Sequence, residues 1–213
     1  NPKMTNRILF AALGSLLFLA GRADDKSKAL VDRLAQKIAS CTSYEVTFSA
    51  SMPEQFDDVQ GRIVVSGDRY YVDVNGSELF CDGKLLYTYR ADDNEATVEE
   101  PDPDDPSLLS NPPRFFRLES RDFGSAYKGP ATAGGRKVER VELIPKNRGA
   151  GFRSILLDIA SDTGLPVSVV YRMEGDDEIE IEILTFKANV PVSKATFSFD
   201  KSKYKGVEII DFR

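Results

Sequence analysis

Two cysteines, one run of carboxylates and a set of large apolar side chains are the features from which chemistry can be read in this sequence of 213 residues. Histidine is absent. That removes Ser-His and Cys-His nucleophilic pairs and histidine-based zinc sites. Cys41 and Cys81 are too few for a zinc cluster. A hydrolase would need a Ser-Lys arrangement or a carboxylate pair, and no serine stands in a recognisable nucleophile context. Asp92 to Asp105 holds eight carboxylates and no base. A calcium loop wants spaced oxygens and a glycine at its tight turn, and Pro101 and Pro103 spoil that pattern. A solvated loop is expected there, with no metal, no cofactor and no catalysis. What remains is non-covalent: apolar surface that must be covered, by protein or by a ligand.

The elements that present this surface are mostly strands. From Val59 to Tyr89, Ile63 and Val65 alternate with Arg62, then Tyr70, Val72 and Val74 alternate with Tyr71 and Asp73. Gly67-Asp68, Asn75-Gly76 and Asp82-Gly83 punctuate the run; the last two pairs tolerate the positive φ of hairpin turns. This predicts four short strands in an antiparallel meander. Tyr44 to Ser51 precedes it, with Tyr44, Val46, Phe48 and Ala50 on one face. Ser125 to Lys128, Arg136 to Pro145, Phe152 to Ala160, Leu165 to Met173 and Glu178 to Phe186 read as further strands, Phe197 and Phe199 as the last, and Tyr204 to Arg213 as a tail. Asp24 to Ser40 reads as a helix capped by Asp24 or Asp25, with Leu30, Leu34 and Ile38 on one stripe. Pro106 to Leu118 carries Leu108, Leu109, Phe115 and Phe116, but Pro112-Pro113 forbids one continuous helix. Two helical turns hinged at the prolines would make a flap or a packed connection. The fold expected is mainly β with helices (α+β): a strongly curved antiparallel sheet of about 10–11 strands, an open half-barrel. The N-terminal helix and the short helical lid would cover its concave face.

Residues 1–23 read as a cleaved signal peptide. Lys3 and Arg7 form a basic start, with Met4 the expected initiator, and Ile8 to Ala20 is an apolar run too short to span a membrane comfortably. Gly21-Arg22-Ala23 suits cleavage before Asp24. Residues 24–213 would then be one exported domain. Its acidic character, net charge −6 and pI near 4.9 for the whole chain, argues against nucleic acid as a partner. Export favours a disulfide between Cys41 and Cys81. Two intervening strands at about 4.8 Å per step argue against it, and the pairing stays open.

In order, the sequence offers a signal peptide, an amphipathic helix, SYEVTFSAS, QGRIVVSGDRYYVDV, FCDGKLLYTY, a greasy proline-broken segment, VELIPK, SILLDIASDTGLPVSV and FSFDKSKYKGVEIIDF. This order and spacing resemble the outer-membrane lipoprotein carrier (LolA) family over the whole mature chain; CDGKLLYTY and FSFD…KGVEIID are the most specific pieces. Typical members carry Lys-Arg-Pro before the third strand, whose arginine latches the lid. Here Ser66-Gly67-Asp68 stands at that place, and Arg69 is not carried over as the latch. The family's tryptophans are replaced by Val72 or Asp73 and by Tyr87.

The resemblance implies a half-barrel enclosing a hydrophobic cavity. It implies a monomeric periplasmic chaperone that holds the acyl chains of lipoproteins and moves them from an inner-membrane lipoprotein-releasing transporter to an outer-membrane acceptor. A lipoprotein-sensing envelope-stress domain of the same architecture, or a general periplasmic lipid-binding protein, is the alternative. Under this reading Phe48, Ile63, Val65, Tyr70, Val72, Tyr87, Leu157 and Ile159 line the cavity. Leu108, Leu109, Phe115 and Phe116 refill it from the lid.

Overall fold

A computed structural model describes residues 9–147 and 149–213; Met4 and the basic residues Lys3 and Arg7 of the proposed leader lie outside the described residues. Helix α1 (Leu9–Ala39) is followed by β1 (Tyr44–Met52), β2 (Phe56–Ser66), β3 (Arg69–Val74), β4 (Ser77–Cys81), β5 (Leu86–Arg90) and β6 (Glu95–Glu99). A short helix, α2 (Pro112–Phe115), precedes β7 (Phe123–Ala133), β8 (Arg136–Pro145), β9 (Phe152–Ala160), β10 (Pro166–Met173) and β11 (Glu178–Ala188). Two 3-10 turns, Lys194–Phe197 and Lys201–Lys203, lead to β12 (Glu208–Asp211).

All twelve strands form one sheet, in the order β12-β6-β5-β4-β3-β2-β1-β11-β10-β9-β8-β7. Every pairing is antiparallel except β12 with β6. The sheet grows both ways from β1, which pairs with β2 on one side and β11 on the other. This order has one large consequence. Strand β6 lies next to one edge and β7 is the other edge, so residues 100–122, which join them, must pass from one side of the sheet to the other. The lid is this crossing connection.

The expected hairpins are present, with Asn75 and Gly76 both at positive φ (49° and 74°). Four expectations are corrected. The acidic stretch is not all loop: its middle is β6, because Ala96 and Val98 alternate with Glu95, Thr97 and Glu99 and are fully buried. The tail contains β12, whose backbone completes the free side of β6. Phe197 and Phe199 are not in a strand; Phe197 ends a 3-10 turn. Helix α1 begins at Leu9, so Asp24 and Asp25 lie inside it and cap nothing. The apolar run and the amphipathic stretch are both helix-compatible, and Gly21 alone is too weak a breaker to separate them. Among the described residues no helix is long and apolar enough to cross a membrane.

One face of the sheet, here the inner face, carries the main core. Val46, Phe48, Ile63, Val72, Val141, Ile155, Leu157 and Val169 are wholly buried there with Leu34 of α1. Helix α1 lies against β7 and β8. It is fastened by Ser27 Oγ donating to the Ser125 carbonyl (3.2 Å) and by Lys26, which donates to Tyr127 Oη (2.7 Å) and Glu139 (2.9 Å). The other face of β2–β5 has its own aromatic layer. Phe199 stacks on Tyr87 (5.2 Å between centroids) and Tyr204 (4.8 Å), while Phe80 packs edge-on to Phe199 (5.7 Å). Glu78 accepts hydrogen bonds from Tyr71 (2.6 Å) and Tyr204 (2.7 Å), which pins the C-terminal segment to this outer face.

Candidate functional site under the crossing connection

The site is built by the lid on the inner face. As expected, no continuous helix runs through Pro112 and Pro113: a turn at residues 108–110 precedes them, and the prolines start the short helix α2. They occupy its first positions, where a missing N–H costs nothing, and Asn111 caps it by accepting from the Arg114 amide (3.3 Å). This turns Phe115 and Phe116 inward. Leu108, Phe115 and Phe116 are fully buried in the main core, and Leu109 packs against it half-buried. Phe116 meets Tyr44 edge-to-face at 5.9 Å and Phe115 at 5.1 Å. In this structure the lid therefore fills the inner face.

Of the sequence-predicted floor residues, Phe48, Ile63, Val65, Tyr70, Val72, Leu157 and Ile159 are brought together in that core. Tyr87 is not. Along β5 the inward residue is Leu86, paired with Cys81, and Tyr87 pairs with Phe80 on the outer face. A shift of one residue in a strand exchanges its faces, and Tyr87 belongs to the C-terminal aromatic layer. The cysteines are both free thiols. Tyr44, three residues after Cys41, shares a row with Val65, Tyr70 and Cys81, one residue per strand. Three strand steps of about 4.8 Å separate the ends of that row, beyond the reach of a disulfide. Cys41 Sγ instead points to the Lys37 carbonyl (3.5 Å) and Cys81 Sγ to the Asp68 carbonyl (3.9 Å).

Most of the lid's polar ties are internal. Arg114, 2% exposed, donates from Nε to the Pro103 carbonyl (3.1 Å) and ion-pairs with Asp122 (2.6 Å) and Glu119 (3.2 Å), close in distance but off the hydrogen-bonding axis. Asn111 Nδ2 donates to the Asp102 carbonyl (2.9 Å). Ties to the sheet are few: the Leu108 amide donates to Tyr171 Oη (3.0 Å), Arg117 pairs with Asp68 in the β2–β3 turn (2.6 Å), and the Lys146 amide donates to the Asp122 carbonyl (2.8 Å) where the connection enters β7. The Arg117–Asp68 pair ties the connection to the β2–β3 hairpin, with the acid on the hairpin and the arginine on the connection. Arg69 donates to Ser66 Oγ (3.2 Å) and lies over the Phe197 ring (5.1 Å), away from the lid.

A cleft flanks the lid helix on each side. The first, about 480 Å³, lies between the end of α1, Tyr44, Val65 and Phe116. The second, about 460 Å³, lies between Tyr70, Cys81, Pro101 and Arg114. Asp68, Pro113 and Arg117 border both. Each cleft has one buried tyrosine in its wall, Tyr44 (4% exposed) and Tyr70 (2%); among the described residues the Tyr44 hydroxyl has no hydrogen-bond partner, and the Tyr70 hydroxyl meets only the Cys81 thiol, a weak partner. Burial disfavours the phenolate and pushes both groups well above the usual tyrosine range, so both are neutral donors at any physiological pH. Tyr44 and Tyr171 were legible as inward strand positions, but nothing in the sequence marked Tyr171 as the lid's anchor or Arg114 as its internal tie. Among the described residues no cluster of three or more acidic, cysteine or histidine side chains could hold a metal ion.

No family model matches the sequence, and no curated protein does. The structure is similar to an uncharacterised conserved protein of Thermus thermophilus, with a TM-score of 0.61 at 11% identity over 87% of this chain and 99% of that one. It is also similar to a DUF1329 family protein of Desulfovibrio piger, with a TM-score of 0.51 at 11% identity over 86% and 99%. A putative outer-membrane lipoprotein-sorting protein domain of Vibrio parahaemolyticus aligns with a TM-score of 0.46 at 10% identity over 85% and 99%. At these identities the likeness is one of fold.

Proposed function

We propose that this protein is a carrier of acyl chains in the bacterial envelope, taking lipoproteins or lipids against the inner face of its sheet when the lid lifts. One observation supports this above the others. The connection that covers the inner face carries most of its polar ties within itself, meets the sheet through apolar side chains, and has a cleft on either side. Such a segment can lift as a unit without leaving its buried arginine unpaired. Magnitudes agree. Leu108, Phe115 and Phe116 contribute about 1.5–3 kcal/mol each by burial, while each acyl methylene contributes about 0.8 kcal/mol. The lid's three side chains are therefore matched by roughly six to eleven methylenes, fewer than one ordinary lipid chain provides.

In this reading the sheet curls around the lid as an open half-barrel. A flat sheet of twelve strands would be about 50 Å wide at the usual strand spacing, yet one buried cluster joins Leu86 on β5 to Leu143 on β8. Export to the periplasm by a signal peptide in residues 1–23, transfer from an inner-membrane lipoprotein-releasing transporter and delivery to an outer-membrane acceptor rest on the sequence resemblance and belong to the proposal. The test is native mass spectrometry of protein purified from a bacterial periplasm without detergent. Co-purifying lipid or acylated protein, increased by Phe115→Ala with Phe116→Ala while the sheet stays folded, because the competing closed state is weakened, is the expected result. A bare chain mass that takes up no added acylated peptide would end the carrier reading.

A further inference from the structure

We propose that Tyr44 and Tyr70 are carbonyl anchors: their hydroxyls donate to the ester or amide carbonyls of an acylated ligand, so the site selects carbonyl-linked chains over ether-linked ones. This rests on the carrier reading and adds the ligand's linkage chemistry to it.

The two rings lie on one face in one register row, Tyr44 opposite Val65 and Val65 opposite Tyr70. Two strand steps of about 4.8 Å separate their backbones. Helix α2 lies over β2 and β3, between the two clefts. Lifting it joins both clefts into one trough floored by this row. Apart from its two hydroxyls the row is apolar, Cys81 being the fully buried thiol at its end.

A buried hydroxyl without a partner is expensive, and phenylalanine would fill either position without that cost. Tyr171 shows the contrast on the same face: its hydroxyl is occupied by the Leu108 amide. One tyrosine hydroxyl without a partner, Tyr44, and one held only by a thiol, Tyr70, fit donors kept for a ligand. The acceptor must sit within an otherwise apolar chain and carry no charge, because no cation on this row would balance one. The carbonyl of an ester- or amide-linked acyl group has those properties, and an ether oxygen is a much poorer acceptor.

The test compares dipalmitoylphosphatidylglycerol with its dihexadecyl ether analogue, each displacing a fluorescent fatty-acyl probe from the full chain. Wild type should bind the ester more tightly. Tyr44→Phe and Tyr70→Phe should each weaken ester binding by about fivefold, the size of one ordinary hydrogen bond, and leave ether binding unchanged. Thermal melting of Tyr44→Phe at or above the wild-type temperature is also expected, since it loses an unpartnered group. Equal affinity of wild type for ester and ether, or equal weakening of both lipids by the substitutions, overturns the anchors and leaves the carrier intact. Failure of wild type to bind either lipid overturns both.

Discussion

Gly61 lies directly under the Phe48 ring, and adding one methyl group there should be severe. The two residues are register partners on β2 and β1, both on the inner face. A Cβ on Gly61 would stand 2.1, 2.5 and 2.7 Å from three carbons of the Phe48 ring. Carbon atoms at rest stay roughly 3.5–4.0 Å apart, so the ring must retreat by more than an ångström. Phe48 is wholly buried and has nowhere open to go. The Gly61 backbone does not require glycine, since its φ lies outside the left-handed region. Loss of unfolded-state entropy alone would make alanine stabilising by about 0.4–1 kcal/mol. Packing reverses that sign. Overpacking costs typically about 1–3 kcal/mol, and contacts this short place Gly61→Ala at the upper end. For a chain of this size each kcal/mol moves Tm by about 2–4 °C, giving an expected fall of about 6–12 °C.

The assay is thermal melting by circular dichroism of wild type, Gly61→Ala, Phe48→Leu and the double variant. Phe48→Leu removes the ring edge that meets the new methyl, so the double variant should be more stable than the sum of the single changes predicts by at least about 1 kcal/mol. A Gly61→Ala melt within 2 °C of wild type (about 1 kcal/mol or less), or additive single effects, would refute the packing argument. It would also show the floor beneath the lid to be loose.

Tyr171→Phe removes the acceptor of the buried Leu108 amide; a cost of about 1–3 kcal/mol and faster hydrogen exchange at that amide are expected, and unchanged exchange would mean the lid is held by its side chains alone. Asp68→Asn should cost no more than about 1 kcal/mol, because the pair with Arg117 is exposed, and the difference from wild type should vanish in 1 M salt. Hydrogen bonds from Tyr127 and then Lys26 hold the Glu139 carboxyl below its usual range; its stabilisation of α1 is therefore present above the unfolded carboxylate value of about 4.3 and lost as pH falls through the lower folded value. The melting difference between wild type and Glu139→Gln should accordingly shrink as the pH is lowered below about 4.3, and a constant difference from pH 2 to 7 would contradict this. Fatty-acyl ligands should bind with a chain-length threshold, weakly below about six methylenes and firmly at sixteen carbons; affinity independent of length would count against displacement of the lid.

What the sequence made legible was local. Tyr44 to Ser51 shows strict alternation, Phe152 to Ala160 carries Ile155, Leu157 and Ile159 on one side, and Asn75-Gly76 suits positive φ, so strand and turn follow from short-range sterics. What it hid was decided by partners distant in the chain. Strand β6 is a strand because Ala96 and Val98 are buried and β5 and β12 complete its hydrogen bonds, and carboxylates on its open face disguised it. Tyr87 was misplaced because residues 86–89 have substantial side chains on both faces, so alternation alone does not say which is inward. The outer aromatic layer that decides it comes from Phe199 and Tyr204, more than a hundred residues away. That Ser66-Gly67-Asp68 lacks an arginine was visible, but the pairing of Asp68 with Arg117 was not, since no pattern joins a hairpin turn to a distant connection.

The topology itself argues that the lid is not incidental packing. With β1 inside the sheet, the chain builds one wing through β6 and the other through β7 to β11. A chain can change wings around the rim or across a face. This chain crosses the inner face, and at the crossing it carries a capped helix, a buried arginine held by its own neighbours, and Phe116 turned down onto Tyr44. A connection needed only for length would require none of these. The internal scaffold matters when the connection leaves its seat: a loose loop would expose Arg114 and its two carboxylates separately, whereas this one takes them with it. Under the proposed carrier function, a cover tied mostly within itself and lightly fastened to the sheet is what exchange of one apolar occupant for another requires.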